Sequence, residues 1–506
     1  MSQQPAAMRG WSVPGLRRSG GLFGGVNFGP IWARCARPSK TRLNGGGERY
    51  PLLRWLTCMT KAQRRKAVIC EQPDFVMPQC YKYTNIAKIK HCSRVPLYLR
   101  PPPSSMHLPS PTRQPRYAAR SNTTMTTADN FLIREKVRTS LRKLPPPATV
   151  QLLRTIFALP AKPARLILHD VLKPRKVHRS WMKKVTWEAD WKGYWFGEDI
   201  NHLDSHGIAE RVKAADVVIF YVHGGGFRLG TPTMFVDTQV KWIQVLKEEH
   251  GLNAMVISVK YRLAPEFKYP QPVEDVVRAY EYLYSNLGIP SNKVIVAGDS
   301  AGAALSLECL YLTHDPSSFV VVTAENVAEP PTEEPLPRPA GLVLISPLVT
   351  DQTDSASWKA NLKYDYITQK TAKVIKREYL PQVLDAPIPF LEAAKENTGF
   401  KKWMPQNVLV LMGGKEVLLD DGTLFARKLK KDGLNVELMV EEDLVHDWFL
   451  VREVVKDKQI TDRADKLFAR FITRAINDRS QMAVVEEIST KTELLNDDLN
   501  AKPVVA

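Results

Sequence analysis

Ser300 stands in "GDSAGA" (Gly298–Ala303), where the apolar run Val294–Ala297 gives way to a stretch of small residues. A hydroxyl at a strand-to-helix corner, with Gly298 and Gly302 on either side, is either a packing device or a nucleophile thrust clear of a sheet. Serine is a weak nucleophile; it needs a base within hydrogen-bond reach and a third group to orient that base. Two histidines follow Ser300 in the chain, His314 and His446. His314 falls about four turns along the helix that Ser300 would start and so points away from the corner. His446, in "DLVHDWF", follows the last expected strand and is the candidate base. Between them "GGKEVLLDDG" offers Glu416, Asp420 and Asp421. Glu416 is nearest the end of the preceding strand and is the favoured acid, with Asp420 as the alternative. Asp420 and Asp421 also suit the first turn of a helix, where the dipole favours negative charge. Serine, then acid, then histidine is one of the chain orders in which such triads occur.

A second feature belongs with these. "YVHGGGF" (Tyr221–Phe227) follows another apolar run, and three glycines let a backbone turn its amides inward without Cβ clashes. The spacing is neither a Walker loop nor a dinucleotide fingerprint. The amides of Gly225 and Gly226, with that of Ala301, can form a three-donor hole for an oxyanion. Phe227, Tyr261 and Trp448 are expected to wall an apolar pocket beside it.

The elements that must position these residues read as a strand-then-helix rhythm. Strands are expected at Asp216–Val222, Ala254–Val259, Lys293–Ala297, Gly341–Ser346, Asn407–Met412 and Val436–Val440, with helical patterns between them. Apolar, β-branched strands alternating with helices imply a mostly parallel sheet covered on both faces. In such a sheet ligands gather at the carboxyl ends of the strands, where Ser300 and the glycine loop both fall. "TWEADWKGYWFGE" (Thr186–Glu198) alternates aromatic and polar residues, as an edge hairpin does. Residues 351–400 carry helical patches without a clear strand, so this segment and 126–205 are expected to cap the sheet.

The charge is unevenly placed. Residues 1–125 hold 21 Lys and Arg against three acids, whereas the rest balances 50 against 50, so the net +18 belongs to the leader. The folded part therefore has no excess charge with which to attract nucleic acid. The leader is rich in Pro and Gly and reads as disordered. Its composition also allows mitochondrial targeting, and the functional protein is expected to begin near Met125. Five of the six cysteines lie there without metal-ligand spacing, so no metal and no cofactor is expected. The lone Cys309 beyond it fits a reducing compartment. No run of 18 apolar residues is present, which points to a cytoplasmic protein or one peripheral to an intracellular membrane. The domain is expected over 126–480, with a disordered tail at 481–506.

"HGGGF", "YRLAPE" (Tyr261–Glu266), "YPQPVEDV" and "GDSAGA" resemble the hormone-sensitive lipase family of α/β-hydrolases, roughly from Asp129 to Arg474. The resemblance implies the α/β-hydrolase fold with a helical cap. It implies Ser300 as nucleophile, Glu416 as acid, His446 as base, and Gly225, Gly226 and Ala301 as the oxyanion hole. It further implies that Arg262, Glu266 and Asp275 are ion-pair residues holding loops around the site. The sequence departs from the family's pattern at Ala303 and at Glu416, and at Asp447–Trp448, where Gly-Phe is common. The last change is expected to alter the pocket wall more than the chemistry. The function this implies is an esterase working through an acyl-enzyme on a small-to-medium apolar ester carrying an acetyl or short-chain acyl group. A catalytically silent small-molecule receptor, or an amide or lactone hydrolase, are the alternatives on the same fold.

Overall fold

The computed structural model describes residues 140–500 apart from 142, 188–190, 319–320, 323–326, 329–331 and 382–397. The leader, residues 1–125, lies outside the described residues.

Six strands are parallel: β3 (Val217–Val222), β4 (Ala254–Lys260), β5 (Val294–Asp299), β8 (Gly341–Ile345), β9 (Asn407–Gly413) and β10 (Asn435–Glu441). β1 (Met182–Trp187) and β2 (Trp191–Phe196) join them antiparallel, giving the order β1-β2-β4-β3-β5-β8-β9-β10. Two short segments, β6 (Val321–Val322) and β7 (Val327–Ala328), pair apart from this sheet. Every residue of β3, β5, β8 and β9 is buried, because helices cover both faces. That double burial is why these strands read as continuous apolar runs.

The segment expected to supply the first part of the cap divides in two. β1 and β2 belong to the main sheet instead, because Trp195 and Phe196 pack into its core and Lys192–Phe196 pair with β4. Among the described residues before them, the helices α1 (Pro146–Phe157) and α2 (Ala161–Val171) lie outside the sheet. Pro146 starts α1 at the first helical position, where a missing N–H costs nothing.

The helices follow in order: α3 (Ser205–Lys213), α4 (Val236–His250), α5 (Gln271–Ser285), α6 (Ala301–His314), α7 (Ala356–Asn361), α8 (Gln369–Tyr379), α9 (Phe400–Trp403), α10 (Leu419–Lys431) and α11 (Lys458–Asn500). α6 is apolar on all sides and almost wholly buried, as the central helix of a three-layer stack must be. α11 packs on α4 through Trp242 and Phe468, stacked at 4.4 Å between ring centroids. It runs on to Asn500, through the stretch from 481 that the sequence leaves as disordered or weakly helical. Among the described residues no helix is long and apolar enough to cross a membrane.

Candidate active site

Because the six strands are parallel, the loops leaving β3, β5, β9 and β10 emerge at one edge of the sheet. They carry the glycine loop, Ser300, Glu416 and His446 respectively.

Ser300 caps α6 with φ 50° and ψ −118°, in the left-handed region that a side chain rarely adopts. Close packing on both sides holds it there. A Cβ on Gly298 would lie 2.7 Å from the Gly302 carbonyl oxygen, and one on Gly302 would lie 2.1 Å from that of Val222. The flanking glycines therefore bring strand, turn and neighbouring β3 within contact distance.

His446 Nε2 lies 2.9 Å from Ser300 Oγ, and its Nδ1 lies 3.1 Å from Glu416 Oε2. An ionised carboxylate only accepts, so Nδ1 carries the hydrogen and Nε2 is left to face the hydroxyl. Glu416 Oε1 accepts the Gly413 N–H at 3.1 Å. Glu416 and His446 reach one another because β9 ends in Gly413–Gly414. A Cβ on either glycine would sit 2.5 Å from a backbone oxygen of the His446 loop, Leu444 O for Gly413 and Glu442 O for Gly414. Asp420, the alternative acid, turns elsewhere: Oδ2 accepts the Ser357 N–H at 2.7 Å, at the start of α7.

The glycine loop is fixed from several sides. Asp299 Oδ1 accepts the Gly224 N–H at 2.9 Å and also the Tyr221 hydroxyl. The Tyr261 hydroxyl donates to the His223 carbonyl at 2.7 Å, with its ring stacked on His223. Burial lowers the His223 pKa to about 4, so this histidine serves as a neutral spacer. Gly225 and Gly226 have φ of 104° and 62°, which suits glycine alone without strain. Among the described residues no acceptor takes the N–H of Gly225, Gly226 or Ala301. Arg228, fully buried, ties the loop to the cap through Glu378 of α8 at 2.7 Å and the carbonyls of Phe157, which ends α1, and Leu159.

Ser300 and His446 open into a narrow apolar cavity of about 80 Å³. Phe157, Phe227, Trp358, Ile367, Ile375 and Tyr379 are among its lining residues, so α1, α7 and α8 contribute to the cap. Phe227 is part of the lining, stacked on Tyr379 at 3.8 Å. Tyr261 and Trp448 are not. Tyr261 lies behind the glycine loop, and the Trp448 indole is buried with Nε1 donating to the Met412 carbonyl at 3.1 Å. Asp447 explains the second misplacement, since its φ of 55° turns the chain so that Trp448 enters the core.

The same turn brings an unforeseen group to the site. Asp447 Oδ2 lies 3.3 Å from His446 Nε2, the nitrogen that faces Ser300. The Tyr366 hydroxyl donates to Oδ2 at 3.3 Å. Burial opposes a charge on His446, yet the carboxyls of Asp447, Glu416 and Asp365 outweigh it and push the imidazole up to about 10. Burial raises Asp299 and Asp365 to about 6, and holds Asp447 well above the usual carboxylate range.

Arg262, Glu266 and Asp275 each take part in an ion pair beside the site. Arg262 bonds Asp275 at 2.9–3.0 Å and Glu274 at 2.9 Å, whereas Glu266 pairs with Arg165 of α2 at 2.8 Å. Among the described residues no group of three or more His, Cys, Asp or Glu is placed to hold a metal ion.

A serine hydroxyl, an imidazole and a carboxylate in line, beside a loop of unengaged amides, form an arrangement suited to attack on a carbonyl carbon. Residues 219–450 match the family model described as the alpha/beta hydrolase fold. An alpha/beta hydrolase of Acanthamoeba polyphaga mimivirus is 24% identical over 242 residues, 47% of this chain and 63% of that protein. The acetyl-hydrolase of Streptomyces hygroscopicus is 29% identical over 255 residues, 50% of this chain and 76% of its own. A crystal structure of a hormone-sensitive lipase from a metagenome library superposes with a TM-score of 0.50 at 24% identity, covering 66% of this chain and 99% of that one. The domain that carries the site has the α/β-hydrolase fold, the fold it shares with that hormone-sensitive lipase.

Proposed function

We propose that the chain is a serine ester hydrolase that works through an acyl-enzyme. The observation that carries this reading is the unbroken line from Glu416 Oε2 through the His446 ring to Ser300 Oγ, with bonds of 3.1 and 2.9 Å. His446 takes the Ser300 proton as Oγ attacks the ester carbonyl, and Glu416 steadies the imidazolium that results. The amides of Gly225, Gly226 and Ala301 receive the oxyanion. The proton then passes to the leaving alcohol, and water releases the acid by the same steps in reverse order. The narrowness and apolar lining of the cavity at Ser300 favour an acetyl or short acyl group. The likeness to an acetyl-hydrolase supports the same class.

A series of p-nitrophenyl esters of increasing acyl length tests this. The rate is expected to peak between acetate and butyrate, to fall for octanoate, and to vanish in Ser300→Ala. Ligand binding without turnover in the wild type would instead favour a receptor on this fold.

A further inference from the structure

We propose that Asp447 is a second carboxylate partner of His446, placed on the Nε2 side, that sets the pH at which the imidazole can act as a base; this rests on the serine hydrolase reading above. In the ordinary triad Nε2 faces only the serine and the leaving group, while the orienting carboxylate sits on Nδ1. Here a carboxyl oxygen stands on each side of the ring, Glu416 Oε2 at 3.1 Å from Nδ1 and Asp447 Oδ2 at 3.3 Å from Nε2.

The geometry holds Asp447 in that place. Its backbone N–H donates to Ser346 Oγ at 3.0 Å, its φ is 55°, and Tyr366 donates to Oδ2. Its other oxygen, Oδ1, is buried and accepts no hydrogen bond among the described residues. The acids facing it are Asp299 at the end of β5 and Glu416 after β9, with the hydroxyls of Tyr366 and Tyr221. The adjoining cavity is also lined by Lys143, Arg175, Arg452, Lys456 and Lys458, of which Arg452 is engaged with Asp465 at 2.5–2.9 Å and Arg175 with Asp237. Among the described residues His446, 3.3 Å away, is the basic group in direct contact with the Asp447 carboxyl.

Two consequences follow for the reaction. When Oγ attacks, its proton moves to Nε2, and the new N–H finds Asp447 as well as the nascent alkoxide, so the imidazolium is stabilised from both sides. In the resting enzyme the same carboxylate favours a proton on Nε2, and while that proton is present Nε2 cannot accept from Ser300. The pair gives up its last proton as one coupled system, and the free base appears only above the pH of an ordinary imidazole.

The test is the pH dependence of kcat/KM for p-nitrophenyl acetate, with the rate of Ser300 labelling by a fluorophosphonate as a second readout. Asp447→Asn removes the charge and keeps the shape; Asp447→Gly removes the side chain at a φ that suits glycine. The wild-type acid limb is expected above the ordinary imidazole value of about 6.5, and to fall by about one to three pH units in both variants. A wild-type midpoint at or below about 6.5 overturns the proposal, as does a variant midpoint that moves down by less than about one unit or moves up. Failure of the hydrolase reading looks different: no labelling of wild-type Ser300 at any pH, or undiminished turnover in Ser300→Ala.

Discussion

Replacing Glu416 by Gln sets two buried hydrogen bonds against each other. Glu416 accepts twice, from Gly413 N–H at Oε1 and from His446 Nδ1–H at Oε2, each at 3.1 Å. An amide has one oxygen and one NH2 group. If its oxygen faces His446, the NH2 group meets the Gly413 N–H, donor against donor, in a fully buried position. An unsatisfied buried group of that kind costs about 1–3 kcal/mol, or roughly 5- to 150-fold if it falls on the active form. If the NH2 group faces His446, Nδ1 must become the acceptor and the hydrogen moves to Nε2. That tautomer cannot accept the Ser300 proton, and the loss reaches about 10⁴-fold in kcat. Glu416→Gln is therefore expected to lower kcat by about 10²- to 10⁴-fold with KM little changed, measured with p-nitrophenyl acetate. Asp420→Asn provides the contrast. Asp420 bonds the Ser357 N–H at the start of α7, so its loss costs on the order of 1 kcal/mol of stability and less than about threefold in rate. The reasoning is refuted if Glu416→Gln keeps more than about a third of wild-type kcat, or if Asp420→Asn shows the larger loss.

Gly302→Ala is expected to lower the melting temperature sharply and to reduce Ser300 labelling, because the new Cβ would stand 2.1 Å from the Val222 carbonyl oxygen and force β3 and α6 apart. Glu308, buried in α6 beside Tyr269, with no hydrogen-bond partner within bonding geometry among the described residues, is pushed up by burial to about 8. It stays protonated when folded but ionises near pH 4.3 when unfolded, so its penalty is absent below that value and grows as pH rises toward 8. Glu308→Gln should flatten the fall in melting temperature between pH 5 and 8, a gain of up to a few kcal/mol at the upper end, while leaving the curve unchanged near pH 4. Phe227→Ala removes a ring stacked on Tyr379 in the cavity wall, and is expected to shift the acyl-length preference toward longer esters rather than abolish turnover.

The parallel strands were legible because each is buried on both faces and carries one kind of residue throughout. β3 and β9 begin and end within about one residue of their expected limits. The outer hairpin was placed less well. β1 starts at Met182, ahead of the aromatic alternation, because its pairing with β2 is set by register across the turn. Ser300, Glu416 and His446 could be singled out because chain order and strand ends leave few candidates. Side-chain direction could not be read in the same way. Tyr261 and Trp448 carry apolar rings near the site in sequence, yet one props the glycine loop from behind and the other turns into the core. Asp447 was read as pocket wall, and only its left-handed backbone reveals that the carboxyl stands over Nε2. The Arg228–Glu378 bond that ties loop to cap joins residues 150 positions apart, which no local pattern discloses.

The central claim is that Ser300 Oγ is activated by His446 across their 2.9 Å contact. The most direct measurement is peptide mapping by mass spectrometry after the full-length protein reacts with a fluorophosphonate. The account predicts one phosphonyl group, on the peptide holding Ser300, formed at least about 10²-fold more slowly in His446→Ala. A modified residue other than Ser300, or a labelling rate indifferent to the loss of His446, would contradict it.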